Sequence, residues 1–170
     1  MESPANKKQT GEKKYWLIKS EPTTYSIDHL KTDGSTPWTG IRNYQARNYM
    51  RDSMKVGDLC LFYHSSAKEA KDIGAAGIAK VASKPYPDPT ARDKKSDYFE
   101  KNPKIIWDLV DIKFVKKFPR LVPLSEIKND PKLAGILVAK KGMRLSIQPV
   151  SEKDFLYIEK RGAEGAPLKG

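Results

Sequence analysis

Trp38-Thr39-Gly40-Ile41-Arg42-Asn43-Tyr44-Gln45-Ala46-Arg47-Asn48 is the most informative stretch of this chain. Pro37 and Gly40 bound a loop that holds Trp38, and a helix follows at once. Asn43 stands where a side-chain oxygen can accept from the first free helical N–H groups. The spacing predicts a helix from about Tyr44 to Ser53, with Ala46, Met50 and Met54 as its apolar stripe. Arg47 and Arg51, one turn apart, fall on the other face.

Working outward, Tyr15–Ser20 is a short aromatic and β-branched run stopped by Glu21-Pro22, a strand pattern. Ser26–Leu30 reads as a short helix, and Asp33-Gly34 as a loop. Lys55–Asp58 is a turn before a second strand, Leu59–Tyr63. Ile73–Ser83 is small and β-branched, as in a buried strand with close backbone packing. Pro85, Pro87 and Pro89 bar the next stretch from a central strand. Ile105–Phe118 is the longest strand pattern, with Val110, Ile112 and Phe114 on one face and Trp107, Asp111 and Lys113 on the other. Leu124–Lys128 reads as a short helix, residues 129–142 resist assignment, and Leu145–Gln148 reads as a strand. Ser151 with Asp154 opens a last helix that turns Phe155 and Ile158 inward. Many short strands with a few short helices imply an α+β domain, a small mixed barrel. Residues 15–160 form the expected folded unit. The polar segments 1–14 and 161–170 are expected to be disordered tails.

The chain has 170 residues and a formal net charge of +11, with 38% hydrophobic residues. No stretch approaches the roughly 18 apolar residues of a membrane helix, and no membrane partner is expected. The amino-terminal segment lacks the apolar run of a secretory signal, so a cytoplasmic, or in a eukaryote nuclear, location is expected. One cysteine, Cys60, and two histidines, His29 and His64, exclude a disulfide framework and leave little for a metal site, so no metal or cofactor is expected. The charge is concentrated. Residues 80–120 hold eleven basic and six acidic residues, and residues 128–144 hold five and one. If these blocks meet, they make a face able to track phosphates.

Trp38 and Trp107 fall off the core pattern and imply an aromatic-walled site for a flat ligand. His64 and Ser65 are adjacent on a strand and point to opposite faces, which argues against a nucleophile–base pair. No nucleophile elbow or phosphate-binding glycine loop is present. Catalytic residues are therefore not expected, and His64 reads first as a structural hydrogen-bonding residue. Asp88 reads as a turn carboxylate.

Lys19-Ser20-Glu21-Pro22, the stretch from Trp38 to Asn48, Phe62-Tyr63-His64-Ser65, Tyr86-Pro87-Asp88, Trp107 with Val110-Asp111, and Arg144-Leu145-Ser146-Ile147-Gln148-Pro149-Val150 occur in this order. Together they resemble the EVE domain family over about residues 15–160. The resemblance implies a PUA-like fold, a small curved mixed β-barrel with short helices around it. It also implies a non-catalytic, monomeric reader of a modified base in DNA or RNA, with modified cytosine in DNA foremost. Its rivals are an RNA-binding PUA-like module indifferent to modification and a hydrolase of modified nucleosides. On this reading Trp38 and Trp107 wall the base. Ser20, Glu21, Asn43, Tyr63, His64, Ser65 and Ser146 surround it, and Arg42, Arg47 and Arg144 hold phosphates. Residues 66–77 depart from the family's shorter loop with its Pro-Gly end, so a different pocket rim is expected.

Overall fold

Alternation along β1 (Tyr15–Ser20) sends Trp16 and Ile18 into one apolar cluster and Leu17 into another. β3 (Leu59–His64) divides in the same way, with Cys60 and Phe62 on the first side and Leu61 and Tyr63 on the second. Both strands are thus buried on two faces, and the sheet carries a core on each. The computed structural model describes residues 13–164. Of the expected tails 1–14 and 161–170, residues 1–12 and 165–170 lie outside the described residues.

After β1 the chain forms α1 (Ile27–Asp33), β2 (Ser35–Pro37) and α2 (Tyr44–Asn48) before β3. β4 (Gly74–Val81), β5 (Tyr86–Pro87), β6 (Asp108–Leu109) and β7 (Asp111–Pro123) come next, then α3 (Leu124–Asn129), β8 (Ile147–Val150) and α4 (Glu152–Ala163). Six strands make one mixed sheet in the order β2-β7-β4-β3-β1-β8, curled into a half-barrel, and β5 pairs with β6 apart from it. β1 and β3 are parallel; the other pairs are antiparallel. The parallel pair needs a crossover, and the segment holding α1, β2 and α2 supplies it. That segment covers the first core with Ile27, Leu30, Trp38, Ala46 and Met50, while Phe155 and Ile158 of α4 cover the second.

Close packing in β4 is explicit. A Cβ on Gly74 would lie 2.1 Å from the Val122 carbonyl oxygen, and one on Gly77 would lie 2.4 Å from that of Lys116. The ladder to β7 shifts register between Ala75 and Gly77 and again between Ile78 and Ala79. Several boundaries differ from the sequence reading. The expected strand 105–118 is two pieces, and the longer runs on to Pro123. The last strand lies two residues later than expected. The three-residue β2 was read as loop; too short for any periodicity, it exists through its pairing with β7. Helix α2 continues as a π-helical turn over Tyr49–Ser53, with the Met54 N–H on the Tyr49 carbonyl at 2.8 Å.

The folded unit also passes the expected boundary at 160. Arg161 binds Glu126 through Nη2 at 2.8 Å and Nε at 3.0 Å. A Cβ on Gly162 would meet the Phe118 ring at 2.5 Å, so α4 seats a bare backbone there. Glu126 also takes both Arg120 nitrogens, at 2.7 and 2.8 Å, and so ties together β7, α3 and α4. These bonds, Arg120's first and against the opposing effect of burial, draw the Glu126 carboxyl from 4.5 down to about 2. A depressed folded value means stabilisation that is present above the unfolded value and lost as pH falls toward the folded one. The carboxylate is a quarter exposed. Solvent screening therefore leaves about 1–2 kcal/mol of the roughly 3 kcal/mol that the full difference carries. Glu126→Gln should lower stability at pH 7 by that amount and flatten the acid side of the stability curve between about pH 5 and 2. Denaturant titrations across that range check it. An unchanged acid slope refutes it.

Candidate nucleic-acid interface

At the carboxyl end of β1 the Ser20 hydroxyl donates to the Tyr25 carbonyl at 2.5 Å. The Thr24 and Tyr25 N–H groups close a turn on the Glu21 carbonyl. Ser26 then caps α1 by accepting from the His29 N–H, and the His29 ring accepts from the Ser26 N–H. The Ile27 N–H donates to His64 Nε2 at 3.1 Å, which places the His64 proton on Nδ1. Burial pushes the His64 pKa down, in keeping with an acceptor role. The loop so anchored presents the Tyr25 ring. Its hydroxyl donates to Asp33 at 2.7 Å, its plane stacks on His29, and its ring meets Trp38 edge-on. Burial, then the Asp33 hydrogen bond, pushes the Tyr25 phenol up to about 12.

Trp38 is tied by its N–H to the Val110 carbonyl, and its ring packs edge-on against Phe62. Gly40 follows at φ +86°, a left-handed conformation that favours glycine. Its N–H donates to Asp88 at 2.8 Å. Asp88 also accepts from Arg42 and twice from Thr90, so it does more than cap its own turn. Burial raises its pKa, but the hydrogen bonds from Thr90, Gly40 and Arg42 outweigh this and hold it below the ordinary range.

These elements enclose a cavity of about 470 Å³ bounded chiefly by Lys19, Ser20, Tyr25, Trp38, Gly40 and Tyr98. Its size lies within the roughly 300–1,000 Å³ of small-ligand sites. Glu21 is the sole carboxylate on its lining. Lys19 reaches the Met143 carbonyl at 3.4 Å, which places the loop before Arg144 at the rim. Burial, then the Arg144 charge, lowers the Lys19 pKa. Among the described residues no cluster of His, Cys, Asp or Glu could hold a metal ion.

Of the residues expected from sequence, the cavity takes Ser20, Glu21 and Trp38. Trp38 keeps only 7% of its surface exposed, so it forms a wall and not an open platform. Trp107 does not face it across a cleft. Trp107 is buried, stacked under Tyr44 and bound through its indole N–H to Glu100 at 2.7 Å. Arg42 and Arg47 each lie 5.4 Å from its ring. All five Arg42 N–H groups are engaged, whereas Arg47 uses only Nε and Nη1. Arg42 serves Asp88, Thr90 and the Ile41 and Tyr98 carbonyls, and Arg47 serves Asn48 and the Ile106 carbonyl. Asn43 spends its side-chain oxygen capping α2. Tyr63 points into the second core, away from the cavity, and burial raises its phenol to about 12. His64 holds α1 and does not line the cavity. Ser65 and Ser146 are half-buried outside it, each bound to β1 through its backbone. Arg144 alone of the three arginines is exposed and at the rim. The 66–77 loop contributes nothing to the lining. Lys19, Tyr25 and Tyr98 were missed. Lys19 sits inside a quoted motif, whereas Tyr98 has no local signal at all.

The EVE domain family profile matches residues 14–161. This chain belongs to the EVE domain family. It is 37% identical over 169 residues to human thymocyte nuclear protein 1, covering 85% of this chain and 72% of that protein. The chicken protein of the same name is 38% identical over 168 residues, and the chain spans 66% of its length. A Leishmania major protein superposes with a TM-score of 0.84 at 42% identity, covering 92% of this chain and 98% of that one. Human THYN1, crystallised in complex with 5-methylcytosine-containing DNA, superposes with a TM-score of 0.78 at 33% identity, covering 88% and 97%. An ASCH protein from Zymomonas mobilis, 10% identical with a TM-score of 0.52, shares the fold alone.

Proposed function

We propose that this protein is a non-catalytic, monomeric reader of a modified cytosine in DNA, and that the base occupies the cavity at the end of β1. The observation that carries the reading is the cavity itself: aromatic side chains, a serine and a lysine around one space with room for a base. The human relative bound to 5-methylcytosine DNA supports the choice of base and polymer. A base turned out of the duplex needs aromatic surface, polar groups for its edge and cations for the neighbouring phosphates. Trp38, Tyr25 and Tyr98 supply the first, and Ser20 and the backbone around Gly40 the second. Lys19 and Arg144 supply the third, together with the exposed Lys140 and Lys141. Lys19, Glu21 and Thr24 share the lining with Ser20, but the Ser20 hydroxyl donates to the Tyr25 carbonyl and His64 is engaged on α1, which supports binding over a Ser-His hydrolysis. In a eukaryotic cell the reading places the protein in the nucleus.

A methyl group entering an apolar slot is worth about 0.8 kcal/mol, so the methylated duplex should bind about fourfold tighter than the plain one. Fluorescence anisotropy with matched duplexes at one salt concentration measures this. Equal affinity overturns the reading of modification. Tighter binding to RNA of the same sequence overturns the choice of DNA.

A further inference from the structure

We infer that Tyr98 is the residue that stacks on the bound base, and that Asp88 and Arg42 are positioning residues that fix it at the cavity mouth. The inference rests on the cavity being the base site. Trp107 was the residue expected in this role, and its faces are already occupied by Tyr44 and two guanidinium groups. Tyr98 lines the cavity and is 44% exposed, so it keeps ring surface to offer.

Its position is set from three sides. The ring lies against the bare α-carbon of Gly40, where a Cβ would sit 2.8–3.1 Å from three ring atoms. Arg42 grips the Tyr98 carbonyl through Nη2 at 2.7 Å and Nε at 3.1 Å, and its guanidinium carbon lies 5.5 Å from the ring centre. Asp88 holds both partners at once, accepting from the Gly40 N–H at 2.8 Å and from Arg42 Nη1 at 3.1 Å. The Asp88 side chain is 1% exposed, and Thr90 occupies its other oxygen through its N–H at 2.8 Å and hydroxyl at 2.7 Å. A single buried carboxylate therefore fixes the seat of the tyrosine and the arm that holds its backbone. Tyr98 belongs to a segment whose turns are closed by local bonds, such as the Tyr98 N–H to Ser96; Glu100 ties its far end to Ala91 and Trp107, and Arg42 holds Tyr98 itself.

Loss of one base–aromatic stack lowers affinity by about tenfold. Tyr98→Ala, Tyr98→Phe, Asp88→Asn and Arg42→Lys should be compared with wild type on methylated and plain duplexes, with thermal unfolding recorded for each. Tyr98→Ala should bind the methylated duplex about tenfold more weakly and bring its preference close to one, and Tyr98→Phe should restore both. Asp88→Asn and Arg42→Lys should each reduce the preference in the Tyr98 background but cause no further loss in the Tyr98→Ala background, the mark of action through that ring. If wild type discriminates and Tyr98→Ala leaves the ratio intact, the stacking role falls while the cavity reading stands. If both positioning variants reduce preference equally with and without Tyr98, the relay falls. If wild type does not discriminate, the cavity reading fails and this inference with it.

Discussion

Raising monovalent salt from about 50 to about 200 mM should weaken DNA binding by about two orders of magnitude while the ratio between methylated and plain duplexes stays nearly constant. The magnitude follows from counting cations. Lys19 stands at the cavity rim beside Arg144, and Lys140 and Lys141 are exposed on the same loop. Four phosphate contacts give a slope of about −3.6 in log affinity against log salt, because each neutralised phosphate releases condensed counterions. The base sits out of that accounting, since stacking and methyl burial release no ions. Lys19→Gln combined with Arg144→Gln should therefore make the slope shallower by about 2. Arg47→Gln should leave the slope alone and lower the melting temperature, because the Arg47 guanidinium packs over Tyr44 and Trp107 and ties Asn48 to the Ile106 carbonyl. Anisotropy titrations at four or five salt concentrations separate the two. A slope that responds to Arg47 and not to Lys19 and Arg144 would reverse this assignment.

That reversal of roles marks where sequence reading stops. Periodicity placed β1, β3, β4 and α4 within a residue or two at most boundaries, because each has one or two faces that must be buried and the alternation is written in the side chains. The cap of α2 and the buried stripe Ala46, Met50 and Met54 were equally legible. The quoted motifs led to the cavity, since Ser20, Glu21 and Trp38 line it and Arg144 stands near Lys19. The bonds of Arg42 and Arg47 were not legible because a charged residue in sequence carries no mark of what satisfies it. Here backbone carbonyls more than forty residues away do so. Tyr63 could have been excluded by parity, as it alternates with Phe62, which packs against Trp38. Trp107 was read as a strand residue out of phase, but it lies just before β6, and the space it enters is filled by Tyr44 and the two arginines. Tyr98 was invisible because tertiary contacts, the bonds of Arg42 and the close approach of Gly40, bring it to the cavity.

Asp88→Ala should be the most damaging single change around the site, with a loss of about 3–5 kcal/mol of stability. Read as a turn carboxylate, Asp88 would be worth only about 1 kcal/mol, the usual loss on removing a cap. Its side chain is 1% exposed, and its removal strands the Gly40 and Thr90 N–H groups and leaves Arg42, 22% exposed, without a counter-ion. A buried charge without its partner is the larger part of that loss. Because the Asp88 pKa lies below its unfolded value, the stabilisation is complete above that value and fades as the carboxyl protonates in acid. The acid sensitivity of wild type should accordingly shrink in Asp88→Ala, as it does for Glu126→Gln, but with a difference in location. Glu126 binds α3 to β7 and α4 on the far core, so its loss should leave the methylcytosine preference unchanged. Asp88→Ala, refolded and assayed below its lowered melting temperature, should lose that preference with Tyr98. Denaturant unfolding and anisotropy on the same two variants measure both effects. A loss below about 1 kcal/mol for Asp88→Ala would return it to the role of a simple cap.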